Sequence, residues 1–320
     1  MTARLEQQET IAAETHICGR IIQSTGGLYR VEITASDEPQ MVGTTVDCRA
    51  KGAFRHEKLT PLAGDKVLVR RSENGEGFIT EILPRKNSLI RPAVANVDTL
   101  VLVIASAHPD PDVYILDKLT AIAAFNGIDT VLAVNKCDLR SADELQKIYT
   151  SAGIPTFCLS ANDPESSLAV LEELRRTVRG KTAFFSGASG VGKSSLLNAL
   201  YPSLLQLETG EISRKIARGK HTTRVTTLFR VEENTYIGDT PGFSMVDVAG
   251  FNLLTLDGLL ESFPDIAAYA HDCRYTDCTH LCEDGCKVVE AVKAGKIAPS
   301  RHESFVRLYK ELKAVDPWKK

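Results

Sequence analysis

The chain has 320 residues, with 38 Lys plus Arg against 41 Asp plus Glu and a formal net charge of −3. That length is about twice a typical domain, so two or three cores are expected, and the charge balance excludes a wholly basic, histone-like protein. With 43% hydrophobic and 25% charged residues the composition excludes disorder. No apolar run approaches the ~18 residues of a membrane-spanning helix.

Residues 1–16 read as a loose polar tail carrying Glu6, Glu9 and Glu14, without the basic-then-apolar layout of a secretion signal. A cytoplasmic protein is expected. From 17 to 90 the pattern is short β-rich runs, Gly19–Ser24, Leu28–Ile33, Lys66–Arg70 and Phe78–Ile82, broken by turn signals at Gly26-Gly27 and Asn74-Gly75. Several short strands in so few residues predict a small barrel, with an OB-like barrel as one option. Within Arg49–Arg71 the charge is lopsided: Arg49, Lys51, Arg55, Lys58, Lys66, Arg70 and Arg71 against Glu57 and Asp65, with Phe54 among them. Cations that follow phosphates and a ring that stacks on bases would suit a single-strand groove. A solvated face, with Phe54 in the core, is the plainer alternative.

From Thr99 the rhythm becomes strand–helix alternation. Leu100–Ala105 is a continuous aliphatic run, as for a strand buried on both faces. Val113–Phe125 has helical spacing, Thr130–Val134 is the next strand, and Ser141 with Glu144 predicts a capping box opening another helix. Strands at Pro155–Leu159 and Thr182–Ser186 flank a helix over Leu168–Val178. The series predicts a parallel α/β sheet covered on both faces. The tail after about Gly250 reads as helical, ending in an amphipathic helix over Glu303–Ala314.

The strongest chemical signal is Gly187, Ala188, Ser189, Gly190, Val191, Gly192, Lys193 and Ser194, a G-x-x-x-x-G-K-[ST] phosphate loop between a strand and the helical Ser195–Leu200. Its glycines let backbone N–H groups close on phosphate oxygens. Lys193 reaches the β- and γ-phosphates, and the Ser194 hydroxyl can ligand Mg²⁺. Asn135, Lys136, Cys137 and Asp138 form N-K-x-D directly after a strand. A carboxylate at Asp138 can accept from the N1–H and 2-amino groups of guanine, which adenine cannot offer. Ser160 and Ala161 end the following strand, where an amide could reach guanine O6. Asp239, Thr240, Pro241 and Gly242 form D-x-x-G after an apolar strand, with Asp239 suited to Mg²⁺ and the Gly242 amide to the γ-phosphate. N-K-x-D and D-x-x-G are weak alone and count in company. The order is rearranged, because N-K-x-D precedes the phosphate loop by about fifty residues, but contacts rather than chain order define a site.

These motifs, in this order, resemble the RsgA (YjeQ) family of circularly permuted GTPases, which act in small ribosomal subunit biogenesis. The resemblance covers nearly the whole chain. It implies an OB-fold RNA-binding domain over 17–90, a permuted P-loop GTPase domain over 91–249 and a helical zinc-binding domain over 250–320. It further implies a late-stage assembly factor that hydrolyses GTP to GDP and phosphate, stimulated by the subunit. The implied partners are the small (30S) subunit with its 16S rRNA and GTP or GDP, for a monomer without membrane association. By the same resemblance Thr209–Ser213 leads to a switch at Gly219–Thr223, with Thr223 as the Mg²⁺-sensing threonine and Thr222 its competitor. Phe243 stands where many GTPases carry a water-orienting glutamine, so the resemblance makes His221 the candidate catalytic group.

Of eight cysteines, Cys273, Cys278, Cys282 and Cys286 fall within fourteen residues, and clustered thiols in a reducing compartment more often hold metal than pair. Cys273, Cys278, His280 and Cys286 supply three thiolates and an imidazole, the set of a closed structural Zn²⁺ site. That spacing matches the family's zinc module, with Asp284 where many members have Pro. Cys282 is left spare, and His271 is a weaker competitor.

Net charge is zero over residues 1–90, −8 over 91–286 and +5 over 287–320. The near-neutral total therefore conceals locally basic surface in the first and last segments.

Overall fold

A computed structural model of the chain describes residues 17–50, 54, 59–72, 75–89, 93–202, 226–239 and 253–314. They divide into two compact units: residues up to 88 with 93–96 and 226–228, and the remainder. No helix among the described residues is long and apolar enough to cross a membrane.

The first unit is a closed five-stranded barrel of β1 (Ile17–Thr25), β2 (Leu28–Ala35), β3 (Thr45–Ala50), β4 (Lys66–Arg71) and β5 (Gly77–Ile82). The strands pair in the order β1-β2-β3-β5-β4, and β4 pairs back onto β1. The β3–β5 pair is parallel and the others antiparallel, an OB-like arrangement. The β1–β2 hairpin turns on Gly26 and Gly27, whose φ values of 59° and 85° suit residues without a Cβ. Alternate residues such as Tyr29, Val31 and Ile33 point inward and meet Ile21, Cys48, Val67 and Ile79. Phe54 joins this core at 8% exposure. The plainer alternative for Phe54 is therefore correct, because its ring fills the barrel and is withdrawn from any stacking surface.

The second unit contains a six-stranded sheet. Its elements are β6 (Thr99–Ala105), α1 (Val113–Phe125), β7 (Asp129–Asn135), α2 (Asp143–Ser151), β8 (Thr156–Cys158), α3 (Leu168–Val178), β9 (Thr182–Ser186), α4 (Lys193–Leu200), β10 (Thr227–Glu232) and β11 (Thr235–Asp239). The order is β8-β7-β6-β9-β11-β10, and neighbours from β8 to β11 run parallel. Leu100, Val101, Leu102 and Val103 are all buried, as a strand covered on both faces requires. Progression reverses between β6 and β9, and the crevice beyond their C-terminal ends is where open α/β sheets bind ligands. One local expectation is corrected. Helix α2 starts at Asp143 with Ala142 as its cap, and Ser141 Oγ accepts from the Asp143 N–H at 3.2 Å, so no reciprocal capping box forms. Asp143 and Glu144 instead favour the helix start through its dipole.

The C-terminal helices α5 (Pro264–Ala270), α6 (Lys287–Lys293) and α7 (Pro299–Lys313) belong to the same compact unit as this sheet. Arg301, at 1% exposure, explains the attachment. Its guanidinium donates to Asp117 on α1 at 2.8 Å, to Asp265 on α5 at 2.8 Å and to Thr120 at 3.2 Å. The Tyr149 hydroxyl also donates to Asp117, at 2.8 Å. Burial pushes the Asp117 carboxyl upward, and Arg301 opposes that shift. A wetter tie, Lys118 to Glu311 at 3.0 Å, joins α1 and α7 further along.

Candidate functional site: a nucleotide corner, a metal cluster and a basic barrel stripe

The ends of β7, β8 and β9 bring three motifs of the sequence together. Asn135, at 3% exposure, is the joint. Its Nδ2 donates to the Val191 carbonyl of the phosphate loop at 2.9 Å, while its Oδ1 accepts from the Ala161 N–H at 2.8 Å. One amide thus ties the phosphate loop, N-K-x-D and Ser160-Ala161 into a single corner. Gly192 lies against that side chain. A Cβ there would stand 2.2 Å from Asn135 Nδ2, and φ is +87°, so glycine is required on both counts. Gly187 is equally confined, since its Cβ would meet the Val103 carbonyl at 2.2 Å.

Helix α4 opens at Lys193, which is half-buried, while Ser194 and Ser195 in its first turn are exposed along with Ala188, Ser189 and Gly190. Backbone N–H groups at a helix start and the positive end of its dipole suit an anion there. Asp138 is exposed at the rim. Lys136 has φ +63°, with its Nζ donating to the His108 carbonyl and its own carbonyl accepting from Ser106 Oγ at 2.6 Å. This bracing by Ser106 and His108 was not anticipated from sequence, because Ser-Ala-His-Pro after a strand is an ordinary loop. Ser160 is buried, and its N–H donates to Ser167 Oγ at 2.9 Å.

Asp239 ends β11 in register with Phe185, beside the strand that enters the phosphate loop. The exposed Ser194 hydroxyl is an oxygen donor of the kind a hard cation such as Mg²⁺ takes. His221, Thr222, Thr223, Gly242 and Phe243 lie outside the described residues.

Cys273, Cys278, His280 and Cys286 converge, with one ligand atom from each lying within 4.8 Å of all the others. Tetrahedral Zn²⁺, with bonds of about 2.3 Å to sulfur and 2.0–2.1 Å to nitrogen, has S···S edges of about 3.8 Å and S···N edges of about 3.6 Å. The Cys273–Cys286 sulfurs are 3.8 Å apart, and His280 Nδ1 is 3.5 and 3.7 Å from them. The donor set therefore fits zinc. Cys282 is exposed, and neither it nor His271 joins the cluster. Sequence reasoning missed Glu283, whose carboxylate accepts from the N–H groups of Thr279, Leu281 and Cys282 at 2.8, 2.9 and 3.1 Å and shapes the ligand loop.

On the barrel, Arg49, Lys66, Arg70 and Arg71 are exposed, while Lys51, Arg55 and Lys58 lie outside the described residues. Strand register lines up Leu28 opposite Arg49, Arg49 opposite Phe78, and Phe78 opposite Arg70. Residues directly opposite share a face. The aromatic set between cations is thus Phe78, half-buried on β5, rather than Phe54.

Residues 82–249 match the family model described as RsgA GTPase, and residues 18–79 match that of the RsgA N-terminal domain. A small ribosomal subunit biogenesis GTPase RsgA of Alkaliphilus metalliredigens is 40% identical over 300 residues, covering 92% of this chain and 97% of that one. Among solved structures, YjeQ from Thermotoga maritima is similar with TM-score 0.75 and 32% identity, covering 94% of this chain and all of that one. YloQ, described as a circularly permuted GTPase, gives TM-score 0.74 and 30% identity over 96% and 98% of the two chains. The chain therefore belongs to the RsgA family of circularly permuted GTPases, enzymes that hydrolyse GTP.

Proposed function

We propose that this GTPase is a late-acting, cytoplasmic assembly factor of the small ribosomal subunit that binds 16S rRNA and hydrolyses GTP in response to the subunit. The name of the Alkaliphilus relative supports the subunit assignment. The stripe of Arg49, Phe78 and Arg70 supports RNA contact, because cations follow a phosphate backbone and a ring accepts a base. The active form is a monomer in three parts, with boundaries near residues 90 and 250.

The observation that carries the chemistry is Asn135, bonded to Val191 on one side and Ala161 on the other. Base and phosphate sites are thereby set at a fixed separation, so recognising guanine at Asp138 positions the γ-phosphate at Lys193. Asp138 accepts from the guanine N1–H and 2-amino groups, and the Ala161 region faces O6. Backbone N–H groups from Gly187 to Ser195 hold the phosphates, and the Lys193 ammonium offsets charge developing on the γ-phosphate oxygens. Ser194, Thr223 and Asp239 would hold Mg²⁺, which supplies charge neutralisation at the β- and γ-phosphates when bound. The Gly242 N–H would serve the γ-phosphate, as the D-x-x-G motif implies. Phe243 has no group to bond the attacking water, so His221 orients it for in-line displacement of GDP. Cys273, Cys278, His280 and Cys286 would hold one structural Zn²⁺, which would tie their loop together and take no part in the chemistry.

Phosphate release should be measured with small subunits, large subunits or neither. A rate raised by small subunits alone is expected. Equal rates in all three would remove the subunit assignment while leaving the enzyme a GTPase. His221→Ala should lower single-turnover hydrolysis with nucleotide affinity unchanged, and an unchanged rate would remove His221 from the reaction.

A further inference from the structure

Two cysteines stand inside the guanine corner and take no part in the mechanism above. Cys137 occupies the variable position of N-K-x-D, between Lys136 and Asp138, and Cys158 ends β8 two residues before Ser160. The sheet register brings them together. Cys158 pairs with Val134 across the parallel β7–β8 ladder. Leu159 N–H donates to the Val134 carbonyl at 2.9 Å, and Cys137 N–H returns to the Leu159 carbonyl at 3.1 Å. Cys137 therefore continues the ladder past the end of β7, directly beside the Cys158–Leu159 backbone. Neighbouring strands lie about 4.7–4.9 Å apart, so the Cys137 and Cys158 side chains project from adjacent stretches of backbone. The two thiols are close enough for each to shift the titration of the other. Both are half-buried, open enough for a small oxidant yet screened from large ones.

We propose that Cys137 and Cys158 form an oxidisable dithiol whose conversion to a disulfide by a peroxide-class oxidant weakens guanine nucleotide binding. The proposal rests on the reading of Asp138 as the guanine acceptor. The chemistry runs in two steps. The Cys137 thiolate attacks one peroxide oxygen, breaking the O–O bond to give a sulfenic acid and hydroxide. The Cys158 sulfur then attacks that sulfenic sulfur, forming S–S and releasing the second oxygen as hydroxide. The two thiol protons leave with the hydroxides as water, so two thiols and hydrogen peroxide give one disulfide and two waters.

The assignment of roles follows from the surroundings. The neighbouring Cys158 thiol holds the Cys137 thiol below the ordinary range, outweighing burial and the nearby carboxylates of Asp138 and Asp143, while Cys158 is pushed up by Cys137 and by burial. Cys137 also lies in the loop after β7 while Cys158 is held in β8, which makes Cys137 the attacking sulfur and Cys158 the resolving one. The consequence for binding is geometric. In the reduced protein Cys137 Sγ sits 3.3 Å from the Val134 carbonyl. A disulfide would replace that contact and pin Cys137, between Lys136 at φ +63° and Asp138, to the end of β8. The carboxylate that reads guanine moves with it.

The test uses the full-length enzyme with its metal, treated briefly with stoichiometric hydrogen peroxide, then peptide-mapped and titrated with a fluorescent GDP analogue. A Cys137–Cys158 cross-linked peptide is expected, with GDP affinity weakened about tenfold or more and restored by dithiothreitol. Cys158→Ser should bind GDP as the wild type does before treatment and stay within about twofold after it. A second variant, Cys158→Ala, guards against a folding defect peculiar to serine. A map without the 137–158 cross-link, a cross-link without loss of affinity, or equal loss in the Cys158 variants would each overturn the proposal. Reduced Asp138→Asn enzyme that keeps wild-type GDP affinity would instead remove the guanine reading, independently of the cross-link.

Discussion

The guanine corner and the Cys₃His cluster both hold a loop in place, by opposite means. At the corner the protein satisfies itself: Asn135 accepts from Ala161 and donates to Val191, and Ser106 and His108 brace Lys136. At the cluster two sulfurs and an imidazole lie 3.5–3.8 Å apart, with the third sulfur within 4.8 Å of each, an arrangement that suits a cation at its centre. The first is preorganised for a ligand that comes and goes. The second makes the ligand part of the fold.

The largest effect should come from removing the metal. Structural zinc contributes about 10–16 kcal/mol to small modules, far more than loop hydrogen bonds can replace. Chelation, or Cys286→Ser, is expected to open residues 273–293 to amide hydrogen exchange while GDP affinity stays within about twofold. Lost GDP affinity at the same chelator concentration would mean that the two regions are not independent.

Next is Arg301, which connects the C-terminal helices to α1. Arg301→Ala leaves Asp117 and Asp265 facing each other without a cation, and breaking such a buried pair costs about 3–5 kcal/mol. Denaturant unfolding should show that loss. Asp117→Asn with Arg301→Met should recover part of it, because one of the two uncompensated charges is gone.

Asn135→Ala should cost less stability, about 1–3 kcal/mol for each buried group left without a partner, but it strikes both halves of the nucleotide site. GDP and GTP affinity should fall together with thermal stability. A variant that loses stability and keeps affinity would show that the joint is structural only. The smallest effect belongs to the barrel surface. Phe78→Ala should weaken single-stranded RNA binding by about 1–3 kcal/mol, the range for one lost stacking contact, without changing the basal GTPase rate.

Legibility in the sequence followed the same division. Helices at Val113–Phe125 and Leu168–Val178 and the strand Thr182–Ser186 have the observed bounds, because continuous burial or a clear helical period marks them. Strand β3 went unread: in Thr45–Ala50 only Cys48 is fully buried, too little alternation to stand out. Motif residues were legible because their chemistry is local. The Asn135–Val191 bond was not, since it joins positions 56 residues apart and depends on the permuted sheet bringing β7 beside β9's loop. Arg301 looked like one more basic residue of a basic tail, and only the packing of α7 on α1 reveals two carboxylates waiting for it. Phe54 was left between core and groove for the converse reason, as neighbouring charges in sequence do not decide which way a ring points, and it lies in the core.

The account turns on Asp138 reading guanine in a site assembled from rearranged motifs. Its most direct test is hydrolysis of GTP and XTP by the wild-type and Asp138→Asn enzymes under identical conditions. Xanthine carries a carbonyl where guanine carries the 2-amino group, so an amide donor at position 138 fits it and a carboxylate does not. The variant should lose about a hundredfold or more in kcat/KM for GTP and gain activity with XTP. An Asp138→Asn enzyme that hydrolyses GTP as the wild type does, and XTP no better, would contradict the account.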